Sequence, residues 1–257
     1  MTIRITTHKT AHVSEIRFSR PPHNFASPEL IGQIADALAA NDVDPDIRCS
    51  VLIADGKSFC AGADLAGDTS LTGGDGMDTV GQLYRQAVRL FHRKKPMIAA
   101  IQGAAVGAGL GLALSADFRV ASPEARFAAN FTRLGFYPGF GLTHTIPRLV
   151  GAQRAAWMML SSARVKPEMA LEWGLIDRLT QADDLAQEAH RMATEIADNA
   201  PLALMAVRAT IAEGLADAVE SAMQREHAQQ TILKATDDYK EGVASVFERR
   251  EAHFVNR

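Results

Sequence analysis

Two stretches near the N-terminus, residues 3–7 and 12–19, alternate β-branched side chains with polar ones. A period of two predicts a pair of strands joined by a short turn. His8 and His12 fall in this strand-like sequence and are expected at the surface. Past the extended Arg20-Pro21-Pro22-His23-Asn24 segment, Ser27-Pro28-Glu29 reads as an N-cap followed by proline at the first helical position, with a helix to about residue 41. The continuous apolar run CSVLIA at 49–54 predicts a strand covered on both faces. Helical periodicity returns over 80–93, with Leu83, Val88, Leu90 and Phe91 inward and Arg85, Arg89 and Arg93 outward. Residues 118–121, 126–129 and 176–179 are short strand candidates, and 142–150, 152–160 and 167–173 are helices. From 183 onward the pattern is almost wholly helical, divided at 199–201, 214 and 236–238. Strands alternating with helices place the chain in the α/β class.

The run from Pro96 to Ala116 carries no charge and is about long enough to cross a bilayer. Its internal pattern argues against a span. Residues 97–101 are β-rich, Gln102-Gly103 breaks the run, and small residues with Gly107, Gly109 and Gly111 follow, up to Asp117. That order predicts a buried strand, a tight turn and the N-terminus of a fully buried helix. Unpaired N–H groups at such a terminus favour an anion or a developing oxyanion.

Composition narrows the function classes. The 257 residues are 47% hydrophobic and 22% charged, ordinary for a soluble globular protein with a sizeable core. A net charge of −3 gives no electrostatic case for nucleic acid as a partner. Cys49 and Cys60 form no disulfide framework, and residues 1–13 hold no apolar leader segment, so a cytoplasmic protein without membrane partners is expected. Cys60 reads as a small buried hydrophobe. Gly56-Lys57-Ser58 lacks the upstream glycine of a phosphate-binding loop, and Gly107 to Gly111 has the spacing G-x-G-x-G, not that of a dinucleotide fold. No zinc-site spacing occurs. Residues 66–77, with Asp68 and Asp75, predict a mobile loop. The glycine-rich turn at 134–141 and the small-residue stretch at 59–65 are expected to wall one pocket with the central turn.

Four blocks in order resemble the enoyl-CoA hydratase/isomerase family, the crotonase superfamily: SFCAGADL at 58–65, KPMIAAIQGAAVGAGLGLALSAD at 95–117, LGFYPGFG at 134–141 and YKEGVASVFERREAHF at 239–254. The resemblance implies a spiral of repeated ββα units over residues 1–198 and a helical C-terminal trimerisation region over 199–257. It also implies a homotrimer, or a hexamer built as a dimer of trimers. The implied ligand is an acyl-CoA thioester, with coenzyme A as part of the substrate and no separate cofactor. Arg20, Lys57, Arg249 and Arg250 are candidates to hold its phosphates.

By the same resemblance, the backbone N–H groups of Ala63 and Ala108 bind the thioester oxygen as it becomes an enolate. Ala61, Asp64, Leu65, Gly107, Phe131, Phe136 and Tyr137 line the substrate site. The sequence departs from the family where proton transfer is concerned. Gly111 and Phe131 stand where hydratases carry their two glutamates, and Gly139 stands where some isomerases carry an acid. Groups of that kind contribute about 10²–10⁴ in rate each, so another proton carrier is needed, and His144, one helical turn past Gly139-Phe140-Gly141, is the candidate. The alternative is a non-catalytic acyl-CoA-binding protein.

Overall fold

A computed structural model describes residues 2–63 and 78–257. Asp64, Leu65, Asp68, Asp75 and the loop expected over 66–77 lie outside the described residues. The N-terminal alternation folds as β1 (Arg4–Thr10) and β2 (Val13–Ser19), an antiparallel pair in register from Arg4 opposite Ser19 to Thr10 opposite Val13. Ser27 caps α1 (Pro28–Val43): its Oγ accepts from Leu30 N at 3.2 Å, and Pro28 opens the helix.

The apolar run at 49–54 is β3 (Cys49–Ala54), and the first part of the uncharged run is β5 (Met97–Ile101). Both are buried at every residue because they lie inside a largely parallel sheet. With β7 (Phe118–Ala121) and β10 (Arg178–Leu179), the sheet runs β1-β2-β3-β5-β7-β10 among the described residues. Its period of two sorts the side chains. Leu52, Ala99 and Ile101 face α1, α2 (Thr79–Phe91) and α3 (Ala108–Ser115), whereas Val51, Ile53, Ile98 and Ala100 face α7 (Leu185–Ala197).

A second sheet is made of pieces too short to show a period: β4 (Ser58–Cys60), β6 (Ala104–Val106), β8 (Arg126–Ala128) and β9 (Arg164–Val165), in that order. Thus β3 steps into β4, β5 into β6 and β7 into β8. Each pair feeds helix or turn structure, which is the expected ββα spiral. Gln102 pins one corner of it, its Nε2 donating to the carbonyls of Ala54, Gly56 and Ser58 at 2.9, 3.0 and 3.1 Å. The tight turn expected after residue 101 therefore contains an additional strand. Broken into β5, β6 and an eight-residue α3, the uncharged run spans no bilayer, and no helix among the described residues is long and apolar enough to do so.

Arg93 corrects the expected outward set. The helix ends at Phe91, so Arg93 has left its face and turns inward, 5% exposed, donating to Asp117 Oδ2 at 2.6 Å. Asp117 also accepts from Met97 N at 2.8 Å and Arg208 Nε at 3.2 Å, tying α8 (Pro201–Ile211) to the sheet. Burial would raise the Asp117 pKa, but the two guanidiniums outweigh it and hold the carboxyl below its ordinary value. The remaining helices are α4 (Leu142–Val150), α5 (Ala152–Leu160), α6 (Pro167–Trp173), α9 (Leu215–Lys234) and α10 (Asp237–Glu248).

Candidate active site

Two turns meet at one point. The first follows β4: Ala61 N donates to His23 O at 3.1 Å, Ala26 N donates to Gly62 O at 2.8 Å, and Ala63 bridges Ala26. The second is Gly107, whose φ of 53° redirects the chain from β6 into α3. Its N–H donates to Ala128 O at 2.9 Å and its carbonyl accepts from Gly111 N at 3.1 Å. A Cβ at Gly107 would lie 4.0 Å from Gly62 Cα, and one at Gly62 would lie 3.0 Å from Val106 O, so the turns are in direct contact.

Each turn presents a disengaged donor. Ala108 is the first residue of α3 and has no intrahelical acceptor. Among the described residues no hydrogen bond engages the N–H of Ala63 or of Ala108. All eight residues of α3 are buried, and its positive dipole end points the same way as the Ala108 N–H. Such a pair of donors can hold an anionic oxygen.

Both turns line a cavity of about 110 Å³. Leu83 and Tyr84 of α2 form one wall, Phe131 and Phe136 another, and Gln230 of α9 and Tyr239 of α10 close it. The described lining residues include no Asp, Glu, His, Lys or Arg. Tyr84 Oη donates to Gln230 Oε1 at 3.0 Å, and Gln230 Nε2 donates to Tyr137 O at 2.9 Å. Burial pushes the Tyr84 phenol well above its ordinary pKa, so it stays protonated. Cys60, beneath the first turn, is fully buried, and burial raises its thiol to about 11, as expected of an inert hydrophobe.

Other groups fill the places where the resemblance puts acids. A Cβ at Gly111 would lie 2.4 Å from the Phe140 ring. A Cβ at Gly139 would lie 2.0 Å from Tyr84 Oη and 2.6 Å from Gln230 Nε2. Phe131 presents its ring edge 3.5 Å from a Cβ placed on Gly107.

Of the residues expected from sequence, Ala61, Ala63, Gly107, Ala108, Phe131 and Phe136 line this cavity together. Tyr137 and His144 do not. Tyr137 contributes its carbonyl to Gln230 and not its ring to the lining. The cavity ends against Gly139 and Phe140, and α4 directs Leu142, Thr145 and Ile146 into the protein, leaving His144 half-buried on another face. Burial, then Arg148 one turn on, lowers its pKa. Buried Glu226 sits at the start of α4, accepting from Gly141 N at 2.7 Å and Thr143 N at 2.9 Å, and so fixes that turn. Burial outweighs those hydrogen bonds and raises its pKa.

Sequence reasoning missed Tyr84, Gln230 and Tyr239. Gln230 is 2% exposed inside a long helix, and such a polar residue on an inward stripe is the signal that could have found it. A larger cavity of about 450 Å³ lies between α8 and the sheet, but its Arg93, Asp117 and Arg208 bind one another, and neither glycine turn reaches it.

The model of the family described as enoyl-CoA hydratase/isomerase matches residues 8–257. The chain belongs to the enoyl-CoA hydratase/isomerase family. It is 32% identical over 256 residues to a crotonyl-CoA hydratase of Syntrophomonas wolfei, covering 98% of each chain. It is 31% identical to a 1,2-epoxyphenylacetyl-CoA isomerase of Escherichia coli, again covering 98% of each. Among solved structures, an enoyl-CoA hydratase/isomerase from Pseudoalteromonas atlantica superimposes with a TM-score of 0.86 at 29% identity, covering 98% of this chain and 99% of the other. This family member thus has the crotonase fold and is an enzyme of the hydratase/isomerase type.

Proposed function

We propose that the protein acts on an acyl-CoA thioester whose carbonyl oxygen lies between the N–H groups of Ala63 and Ala108. As an α-proton leaves or a nucleophile adds to the acyl chain, the electron pair moves onto that oxygen, and the two donors and the α3 dipole stabilise the enolate. The observation that carries this reading is the contact between two turns, each with a disengaged N–H, at the head of one cavity free of charged side chains among the described residues. Its proton carrier is a group other than a carboxylate at 111, 131 or 139, since those positions are Gly, Phe and Gly. The relatives' names are those of enzymes, which favours catalysis over the non-catalytic reading.

We also propose assembly into a homotrimer or hexamer through the C-terminal helices. Leu202, Val207 and Ile211 of α8 are 77%, 58% and 68% exposed, apolar surface on more than one face of the helix that such an assembly would cover.

Incorporating lactic acid in place of Ala108 turns the amide that joins it to Gly107 into an ester, which deletes one donor and adds no bulk. We expect kcat on an accepted enoyl-CoA to fall about 10²–10³-fold with the fold unchanged by circular dichroism. Unaltered kcat would refute the reading.

A further inference from the structure

The cavity's polar side chains are not equivalent. Tyr84 and Gln230 satisfy each other and the Tyr137 carbonyl, and Asn130 is half-buried. Tyr239 is different. It is 5% exposed, its ring packs against Phe136 with centroids 4.9 Å apart, and its hydroxyl has no hydrogen-bond partner among the described residues.

The surrounding backbone holds it there. Thr236 caps α10 by accepting from Tyr239 N at 3.1 Å. A Cβ at Gly135 would lie 2.6 Å from Asp238 O, and one at Gly242 would lie 2.4 Å from the Leu134 carbonyl carbon. Helix α10 and the turn at Thr132–Leu134 therefore interlock backbone against backbone. Burial raises the phenol's pKa, so it keeps its proton and can donate.

We propose that Tyr239 selects substrates whose acyl group carries an uncharged oxygen, a hydroxyl or a carbonyl distinct from the thioester, by donating a hydrogen bond to it. The inference rests on the acyl-CoA reading above. A hydrocarbon acyl group would displace water from the phenol and leave it unpaired, whereas an oxygen acceptor restores its hydrogen bond. A carboxylate is disfavoured, because no cationic side chain lines the cavity among the described residues.

The test uses three five-carbon probes, pent-2-enoyl-CoA, 5-hydroxypent-2-enoyl-CoA and glutaconyl-CoA, with dissociation constants from calorimetry on the wild type and on Tyr239→Phe. The hydroxylated probe should bind roughly tenfold tighter than the hydrocarbon one, and the phenylalanine variant should bring that ratio close to one. Glutaconyl-CoA should bind most weakly. A wild-type preference for the hydrocarbon or the carboxylate overturns the proposal, and so does a ratio that survives in Tyr239→Phe. Those results leave the acyl-CoA reading standing, whereas failure of all three probes to bind overturns both. Should the variant fold poorly, the wild-type order of the three probes decides.

Discussion

Gly109→Ala sets two effects of opposite sign against each other. Gly109 is the second residue of α3, and helix propensity alone favours alanine by about 1 kcal/mol. Packing opposes it. The added Cβ would lie 1.9 Å from Cys60 O, where ordinary contact begins at 3.4 Å, so α3 and β4 must separate by 3.4 − 1.9 = 1.5 Å. The obstacle is backbone, which no rotamer change can clear. Overpacking of this kind costs about 1–3 kcal/mol or more, exceeding the propensity gain. The same displacement moves Ala108 relative to Ala63, since Ala108 begins α3 and Ala63 follows closely on β4. A misplacement of about 1 Å at a reacting centre can cost about 10²-fold in rate. Urea unfolding and steady-state kinetics on one accepted enoyl-CoA measure both effects. A variant as stable as the wild type, with kcat within about twofold, would refute the reasoning.

Two other changes probe the surroundings of the site. Asp117→Asn leaves the Arg93 and Arg208 side chains, 2% and 9% exposed, without their counter-charge, and should lower unfolding stability by about 3–5 kcal/mol in chemical denaturation. Because the folded Asp117 pKa is depressed, its contribution is present above the ordinary carboxylate pKa and is lost as pH falls through the folded value. The variant should therefore show a flatter acid limb in melting temperature against pH, and an unchanged limb would remove Asp117 from that role. Gly111→Glu should destabilise the protein without raising hydration of crotonyl-CoA, because the fully buried Phe140 ring fills the space the side chain needs. A stable variant with faster hydration would show that the ring yields.

Elements with a strong local signal were legible in the sequence. Ser27-Pro28 marked the start of α1, the apolar run of β3 marked a strand covered on both faces, and that of β5 a buried strand. The short strands β4 and β6 were not legible, because three residues are too few to show a period and theirs are mostly small. Arg93 fits the outward stripe of its helix by spacing, yet the helix ends two residues earlier and Asp117, distant in sequence, draws it inward. The glycine turns of the site were readable as turns, whereas the donor role proposed for Ala63 and Ala108 came only through resemblance. The walls were not. Tyr84, Gln230 and Tyr239 meet through packing of α2, α9 and α10, and no spacing along the chain records that meeting.

The disengaged donors at Ala63 and Ala108 belong to the main chain, and this changes how the site responds to mutation. Alanine scanning is silent there, because both residues are already alanine. Most missense changes at either position leave the N–H in place and act through bulk alone; proline is the substitution that deletes it. Intolerance to substitution is thereby displaced onto neighbours such as Gly109, whose missing side chain sets the spacing. A map of mutational sensitivity would outline this site by its supports and leave the proposed reacting groups nearly blank.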